Sequence, residues 1–542
     1  AITFRDLRKD VEALGTALMR LFEGQEERPR FAILAGTRYE WYLSYLATLL
    51  GEGIIVPLDR QLEPGELHGM LKRAKVQALF FGKTEAQKAY QAVEGLEDLT
   101  TLIAYDEKAF ETIPESLNGV KRCLFQDLMD EGREAIEQGD QRFFNVEIDP
   151  DEMRILIYTS GTTSKAKAVM HSHKTVCANI MDMCEMVYVG PKDVFLSILP
   201  LNHTYECTCG FLVPIYRGAT IAICEGYRHI IKNLNESHAT VMLIVPLIAE
   251  TIQHHMIRQL KKDPPLYRKV KRGLKLSSFL FSIGIDVRRK IFRKLLDKLG
   301  GSLRMVISGG ASIEPQTLMN FEAVGLLAFQ GYGLTEFTPI LAVNRDVEYK
   351  HEAAGLPLRR NEIKIDNPDE NGVGEILARG PSLMLGYYED EEATEAAMKD
   401  GFFRTSDLGY IDDDGFIILT GRKQNLIVNK AGKNIYPEEL EAIFMKSDWI
   451  KECQVTTEPA PRGEDLLVLY VYPDEETVTE HFGKDVLLDS SAVEEQIDHF
   501  VTSENAKLPV FKRVRKVYLR DEPFPKSATQ KMIRYKQSPE AD

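Results

Sequence analysis

Short runs of β-branched and aromatic residues, closed by Gly, Pro or polar residues and separated by helical patterns, recur through the first half of the chain. Residues 31–34, 53–57 and 76–81 are such runs, and 155–158, 194–199, 220–224, 241–245 and 303–308 continue the series. Helical periodicity fills 4–21 and 41–51. A strand written as an unbroken apolar run is buried on both faces. Alternation of such strands with helices therefore predicts an α/β fold with mixed, largely parallel sheets and flanking helices. In open sheets of this kind the loops at the carboxyl ends of the strands build the ligand site.

After Gly374 the texture changes. Residues 374–379, 405–411 and 416–419 read as short strands joined by acidic turns, a small β-barrel-like part. Beyond Gly421–Arg422 a smaller α+β unit begins, with helices over 437–445 and 492–503 and strands over 466–472 and 515–519. The 542 residues exceed what one hydrophobic core serves. The expected division is a large domain over 1–421 and a small mobile domain over 422–542.

The net charge of −15 makes nucleic acid an unfavoured partner and requires any polyphosphate site to gather its cations locally. No apolar run approaches the ~20 residues of a membrane span, and residues 1–8 carry no signal-peptide-like core. Seven cysteines without metal-type spacing fit buried thiols in a reducing, cytoplasmic setting. The basic stretch 288–298 reads as an amphipathic helix with Ile291, Leu295, Leu296 and Leu299 on one side. It is either a solvated face over a core stripe or a peripheral contact with the inner face of an anionic membrane.

The most informative stretch is YTSGTTSKAKAVMHSH, from Tyr158 to His173. A strand runs into Thr159, Ser160, Thr162 and Thr163 around Gly161, then Lys165 and Lys167. Hydroxyl donors, one glycine for close backbone approach and a lysine are what a phosphate cradle needs. The G-x-x-x-x-G-K-[ST] loop is absent, as are the G-x-S-x-G and H-E-x-x-H motifs of hydrolases.

This stretch resembles the signature loop of the adenylate-forming superfamily (acyl-CoA synthetases, peptide-synthetase adenylation domains, luciferases), with Ser164, Ala166 and Ala168 where Gly, Pro and Gly are usual. Further blocks follow in family order: SGGA from Ser308, GYGLTE from Gly331, RTSDLG from Arg404, GR at Gly421, GKNIYPEELE from Gly432 and PKSATQK from Pro525. Ser406 and Gln530 replace glycines of those patterns. The resemblance implies ATP, Mg²⁺ and CoA as co-reactants. It places Thr159–Thr163 and Lys167 on the phosphates, and Gly309, Gly310, Ala311, Tyr332 and Gly333 around adenine. Thr335 would meet a phosphate oxygen, Glu336 Mg²⁺, and Asp407 with Arg422 the ribose. Lys531 is the expected catalytic lysine, with Lys526 as its alternative, and Gln424 is the expected hinge.

PLNHTYE, from Pro200 to Glu206, resembles the block bordering an acyl pocket. His203 there gates the pocket, meets the carboxylate, or is a structural histidine after a strand. The apolar residues that follow favour an apolar acid, and the overall look is that of bacterial long-chain fatty acid–CoA ligases. Two other readings stay open: loading of an acyl-carrier protein, and a catalytically impaired acyl- or nucleotide-binding relative.

Overall fold

The computed structural model describes residues 1–159, 166–429, 433–459, 465–483, 486–525, 532 and 534. The chain groups into two compact units, residues 1–362 with 379–403, and residues 363–378 with 404–542.

The first unit is built on two sheets. In the eight-stranded sheet, Ile54–Pro57, Arg30–Leu34, Ala78–Phe81, Thr101–Ala104 and Lys121–Leu124 run parallel. Met153–Thr159 joins them in parallel, and Lys167–Ser172 then folds back antiparallel. All residues of the Ile54–Pro57, Ala78–Phe81 and Thr101–Ala104 strands are buried, as their continuous apolar runs predict. The seven-stranded sheet places Met305–Ser308 between Val241–Ile244 and Leu327–Gly333, all parallel. Its far edge turns antiparallel at Ile340–Val343.

Helices flank these sheets. Phe4–Leu21 starts at Thr3, whose side chain accepts from the Asp6 N–H in a capping box. Trp41, Tyr45 and Phe211 form a buried aromatic cluster, with Trp41 stacked on Tyr45 at 5.3 Å. The helix expected over 288–298 is instead broken into Arg288–Ile291 and Arg293–Leu296. Phe292 leaves helical geometry between them (φ −96°, ψ 14°) and is itself buried, so burying this aromatic outweighs helix continuity. Arg288 pairs with Asp286 and Glu322, and Arg289 donates to the carbonyls of Gly301, Leu303 and Gly325. The arginines that open this stretch thus serve the fold.

The second unit contains most of a five-stranded sheet that includes Gly374–Arg379, Phe402–Ile411 and Ile417–Arg422. It also holds a three-stranded sheet of Ile450–Pro459, Asp465–Pro473 and Lys516–Leu519. Helices Pro437–Phe444 and Ser491–Lys507 share a core of Leu440, Phe444, Val455, Leu469, Val493 and Ile497 with this sheet.

Gly132 is where the Phe125–Glu137 helix meets Phe4–Leu21 most tightly: a Cβ there would stand 1.9 Å from the Ala13 carbonyl oxygen. Gly132→Ala is expected to cost about 2 kcal/mol in urea unfolding. Gly69→Ala, in an exposed helix position with open space, should instead gain about 0.5–1 kcal/mol. Equal effects at the two positions would contradict the close crossing.

Candidate functional site

Two parallel strand ends carry the central loops. Gly309, Gly310 and Ala311 follow the Met305–Ser308 strand, and Gly310 adopts φ +81°, a region that favours glycine. Gly309 is packed against the ring of Tyr205, whose hydroxyl donates to the Ile307 carbonyl. Tyr332 and Gly333 end the Leu327–Gly333 strand. Tyr332 is buried, and a Cβ on Gly333 would lie 2.1 Å from the Pro339 carbonyl oxygen. The chain then turns through a single 3₁₀ turn, Thr335–Phe337.

That turn is held by buried polar groups from one neighbouring segment. His171 donates from Nε2 to the Thr335 carbonyl at 2.8 Å. Complete burial lowers the His171 pKa to about 4 against the opposing effect of that hydrogen bond, so the ring is neutral at pH 7. Asn179 donates from Nδ2 to the carbonyls of Phe337 and Ile340 at 2.9 and 2.8 Å. Thr338 donates to the Thr175 carbonyl. The capping box of Ser172 and Thr175 fixes the start of the His173–Met186 helix, which carries Asn179 and the Thr175 carbonyl.

Glu336, on that turn, is half-buried, and its Oε1 accepts from the Tyr387 hydroxyl at 2.8 Å. Lys167 Nζ lies 4.4 Å from the centre of the same Tyr387 ring. Burial and the nearby Glu336 charge push the Tyr387 phenol well above its usual pKa, so it remains a donor. The Glu336 and Lys167 side chains therefore meet on one tyrosine. A hard carboxylate oxygen fixed by a neutral donor suits Mg²⁺, which takes few protein ligands and keeps phosphates and waters around it. Thr159, at the end of its strand, is the cross-strand partner of Lys167.

On the acyl-side block, His203 Nε2 is 3.8 Å from Asp59 Oδ2. Tyr205–Leu212 winds as a π-helix, a geometry often found at functional sites. It buries Glu206 among apolar groups, where Tyr42 donates to Ser197 and Ser197 donates to Glu206 Oε1 at 2.5 Å. Burial, against the lowering effect of Ser197 and the Leu199 backbone, pushes the Glu206 carboxyl up to about 8.

In the second unit, Asp407 and Arg422 are cross-strand partners, with Arg422 Nε 3.4 Å from Asp407 Oδ1. The preceding Ser406 stands at φ +61°, a conformation that explains the glycine usual there. Burial alone would raise the Glu375 carboxyl, but hydrogen bonds from Arg404 and Lys423 outweigh it and hold its pKa low. Ser160, Gly161, Thr162, Thr163, Lys526 and Lys531 lie outside the described residues. Three positions beyond Lys531, Arg534 forms a two-pronged pair with the buried Glu441.

His171, Asn179 and Tyr387 were not among the residues expected from sequence. Tyr387 lies 51 residues from Glu336 and carries no motif. Among the described residues no cluster of three or more His, Cys, Asp or Glu forms a metal cage.

Parallel strand ends carrying Gly309–Ala311, with a carboxylate and a lysine sharing Tyr387 nearby, suit an α/β enzyme that handles a nucleotide. The chain belongs to the AMP-binding enzyme family, whose model matches residues 1–388. It is 28% identical to fatty acyl-CoA synthetase B of Dictyostelium discoideum, over 85% of this chain and 70% of that protein. Long chain acyl-CoA synthetase 1 of Arabidopsis thaliana is also 28% identical, over 96% of this chain and 83% of its own length. Among solved structures, o-succinylbenzoate CoA synthetase (MenE) of Bacillus subtilis with its acyl-adenylate superposes with a TM-score of 0.71 at 21% identity. ATP-bound MatB of Rhodopseudomonas palustris superposes with a TM-score of 0.72 at 22% identity. Each alignment covers 98% of this chain and 92% of the other. These likenesses fix the fold: a large α/β N-terminal part with several mainly parallel sheets and a smaller C-terminal part.

Glu206 gives a pH test. Folded, it keeps its proton up to about 8; unfolded, it ionises near 4.5. The folded state binds the extra proton between these values, so its share of stability is full below pH 4.5 and is lost as pH rises to 8. Glu206→Gln should flatten the stability–pH curve in that window and gain on the order of 3 kcal/mol at pH 8. An unchanged slope in urea titrations would show that another group carries the dependence.

Proposed function

We propose that this chain activates a fatty acid with ATP and passes it to the CoA thiol. The acid's carboxylate oxygen attacks the α-phosphorus and pyrophosphate leaves, giving acyl-AMP. The CoA sulfur then attacks the acyl carbonyl and AMP departs. The observation that carries the reading is the Glu336–Tyr387–Lys167 arrangement at the end of a parallel strand. A carboxylate suited to a metal and a cation held on one tyrosine support a site able to offset charge building on a transferred phosphoryl group. The names of the curated relatives and the apolar residues following Glu206 support a fatty acid.

In this reading Thr159, Ser160, Gly161, Thr162, Thr163 and Lys167 cradle the phosphates. Glu336 would hold Mg²⁺, which when bound would supply neutralisation of phosphate charge, and Thr335 would donate to a phosphate oxygen. Gly309, Gly310, Ala311, Tyr332 and Gly333 border adenine. Asp407 accepts from the ribose hydroxyls beside Arg422. His203 guards the acyl carboxylate. Lys531 stabilises adenylation and is withdrawn for thiol entry by rotation of a small domain, residues 422–542, about Gln424. Gln424 lies in the short 3₁₀ turn Lys423–Asn425 that follows the Ile417–Arg422 strand. Long-chain acids partition into bilayers, which favours a cytoplasmic enzyme working at the inner membrane face. Among the described residues no helix is long and apolar enough to cross a membrane.

The test is pyrophosphate release with ATP and Mg²⁺ across acids from acetate to palmitate, with and without CoA. Release peaking at long chains with CoA consumed is expected. Release without CoA consumption would point to the same pantetheine thiol on a carrier protein, and none with any acid would overturn the reading. Lys531→Ala should lower release by about 10²–10³ while ATP binding persists. Glu336→Gln should shift the Mg²⁺ titration upward, and an unaltered titration would remove its metal role.

A further inference from the structure

The helix Pro264–Ser282 and the turn after it carry charge opposite to the rest of the chain. Residues 264–294 hold ten Lys or Arg against one Asp, a net charge of +9 within a total of −15. The remaining residues therefore carry −24. On one side the helix is part of the fold. Tyr267, Val270 and Leu274 pack on the main core, and a Cβ on Gly273 would sit 2.9 Å from Ile291 Cγ2. At about 100° per residue the opposite side presents Arg268, Arg272, Lys275, Leu276 and Phe279, all of them exposed.

The chain then turns through Gly284 at φ +83° and lifts further apolar side chains into solvent. Leu276, Phe279, Phe281, Ile283 and Ile285 are 44–64% exposed. Arg288 stacks on Phe281 at 3.8 Å and pairs with Asp286, which ties the turn to the body. Lys290, Arg293 and Lys294 are exposed just beyond. Leu276, Phe279, Ile283 and Ile285 stay exposed, and an apolar patch of this kind marks an interaction surface.

We propose that this face docks the chain on the surface of an anionic lipid bilayer. Phe279, Phe281, Ile283 and Ile285 enter the acyl boundary, and Arg268, Arg272, Lys275, Lys290, Arg293 and Lys294 lie at the phosphate level. Charge selects the occupant: an acidic chain approaches an anionic membrane through a strongly cationic face such as this one. The apolar tips are phenyl and aliphatic, which favours hydrocarbon, while long Lys and Arg stems reach outward to the headgroups. A nucleic acid would use the cations and leave the aliphatic tips in water. The surface stands on its own geometry and charge; its purpose, collection of a membrane-borne acid, rests on the fatty-acid reading.

The test is cosedimentation of the full chain with phosphatidylcholine vesicles, with and without about one quarter phosphatidylglycerol. Binding to the anionic vesicles alone, weakened at high salt, is expected. The pair Phe279→Ser with Ile283→Ser, and separately Arg272→Glu with Lys275→Glu, should each cut partitioning about tenfold or more. Both pairs change only exposed side chains, so the thermal midpoint and pyrophosphate release with a water-soluble medium-chain acid should stay unchanged. Absence of vesicle binding, equal binding to neutral vesicles, or binding indifferent to both pairs would overturn the proposal. So would loss of a solution dimer in either variant, which would give the face to a second copy of this chain. Vesicle binding by a wild-type chain that releases no pyrophosphate would sink the fatty-acid reading and leave the docking surface standing.

Discussion

The neutral His171 that donates to the Thr335 carbonyl is the interaction on which the first unit's site depends. The turn bearing Glu336 has little regular structure of its own, and its backbone carbonyls must find donors away from water. His171 and Asn179 supply three of those donations from a strand and a helix that follow the lysine-bearing loop. Two segments far apart in sequence are thereby fixed to each other, one carrying Lys167 and the other Glu336. Tyr387 closes the arrangement by touching both side chains. Replacing a buried donor of this kind leaves a carbonyl unpaired, at about 1–3 kcal/mol each.

Much of the architecture was legible because the strands are buried on both faces. Runs such as 54–57 and 78–81 have no polar face to confuse the pattern, and the structure finds strands there. The region 288–298 misled because helical spacing does not reveal that Phe292 must be buried. Ser406 was visible as a departure from a glycine pattern, and its positive φ gives the physical reason for that pattern. Tyr387 could not be found by pattern, since its meaning arises only when separate strands pair: Gly386–Tyr387 joins the edge of the Lys167–Ser172 strand.

Charge is distributed to match an amphiphilic substrate. Glu206 is kept neutral by burial beside the apolar π-helix. Carboxylates that stay ionised, such as Glu375, are those given arginine or lysine partners. The chain as a whole is acidic, while one helix and its following turn concentrate cations around exposed hydrocarbon. An apolar acid with a charged head, joined to a polyanionic nucleotide, needs both a neutral buried pocket and cations placed locally.

The central claim is that the acid's own oxygen attacks the α-phosphorus of ATP. It is tested most directly by turning over a carboxyl-¹⁸O-labelled long-chain acid with ATP, Mg²⁺ and CoA and weighing the products. Acyl-AMP formation followed by thiolysis predicts a single labelled oxygen on AMP and none on pyrophosphate. Label on inorganic phosphate with ADP as the co-product, or retained entirely in the acyl group, would contradict the account.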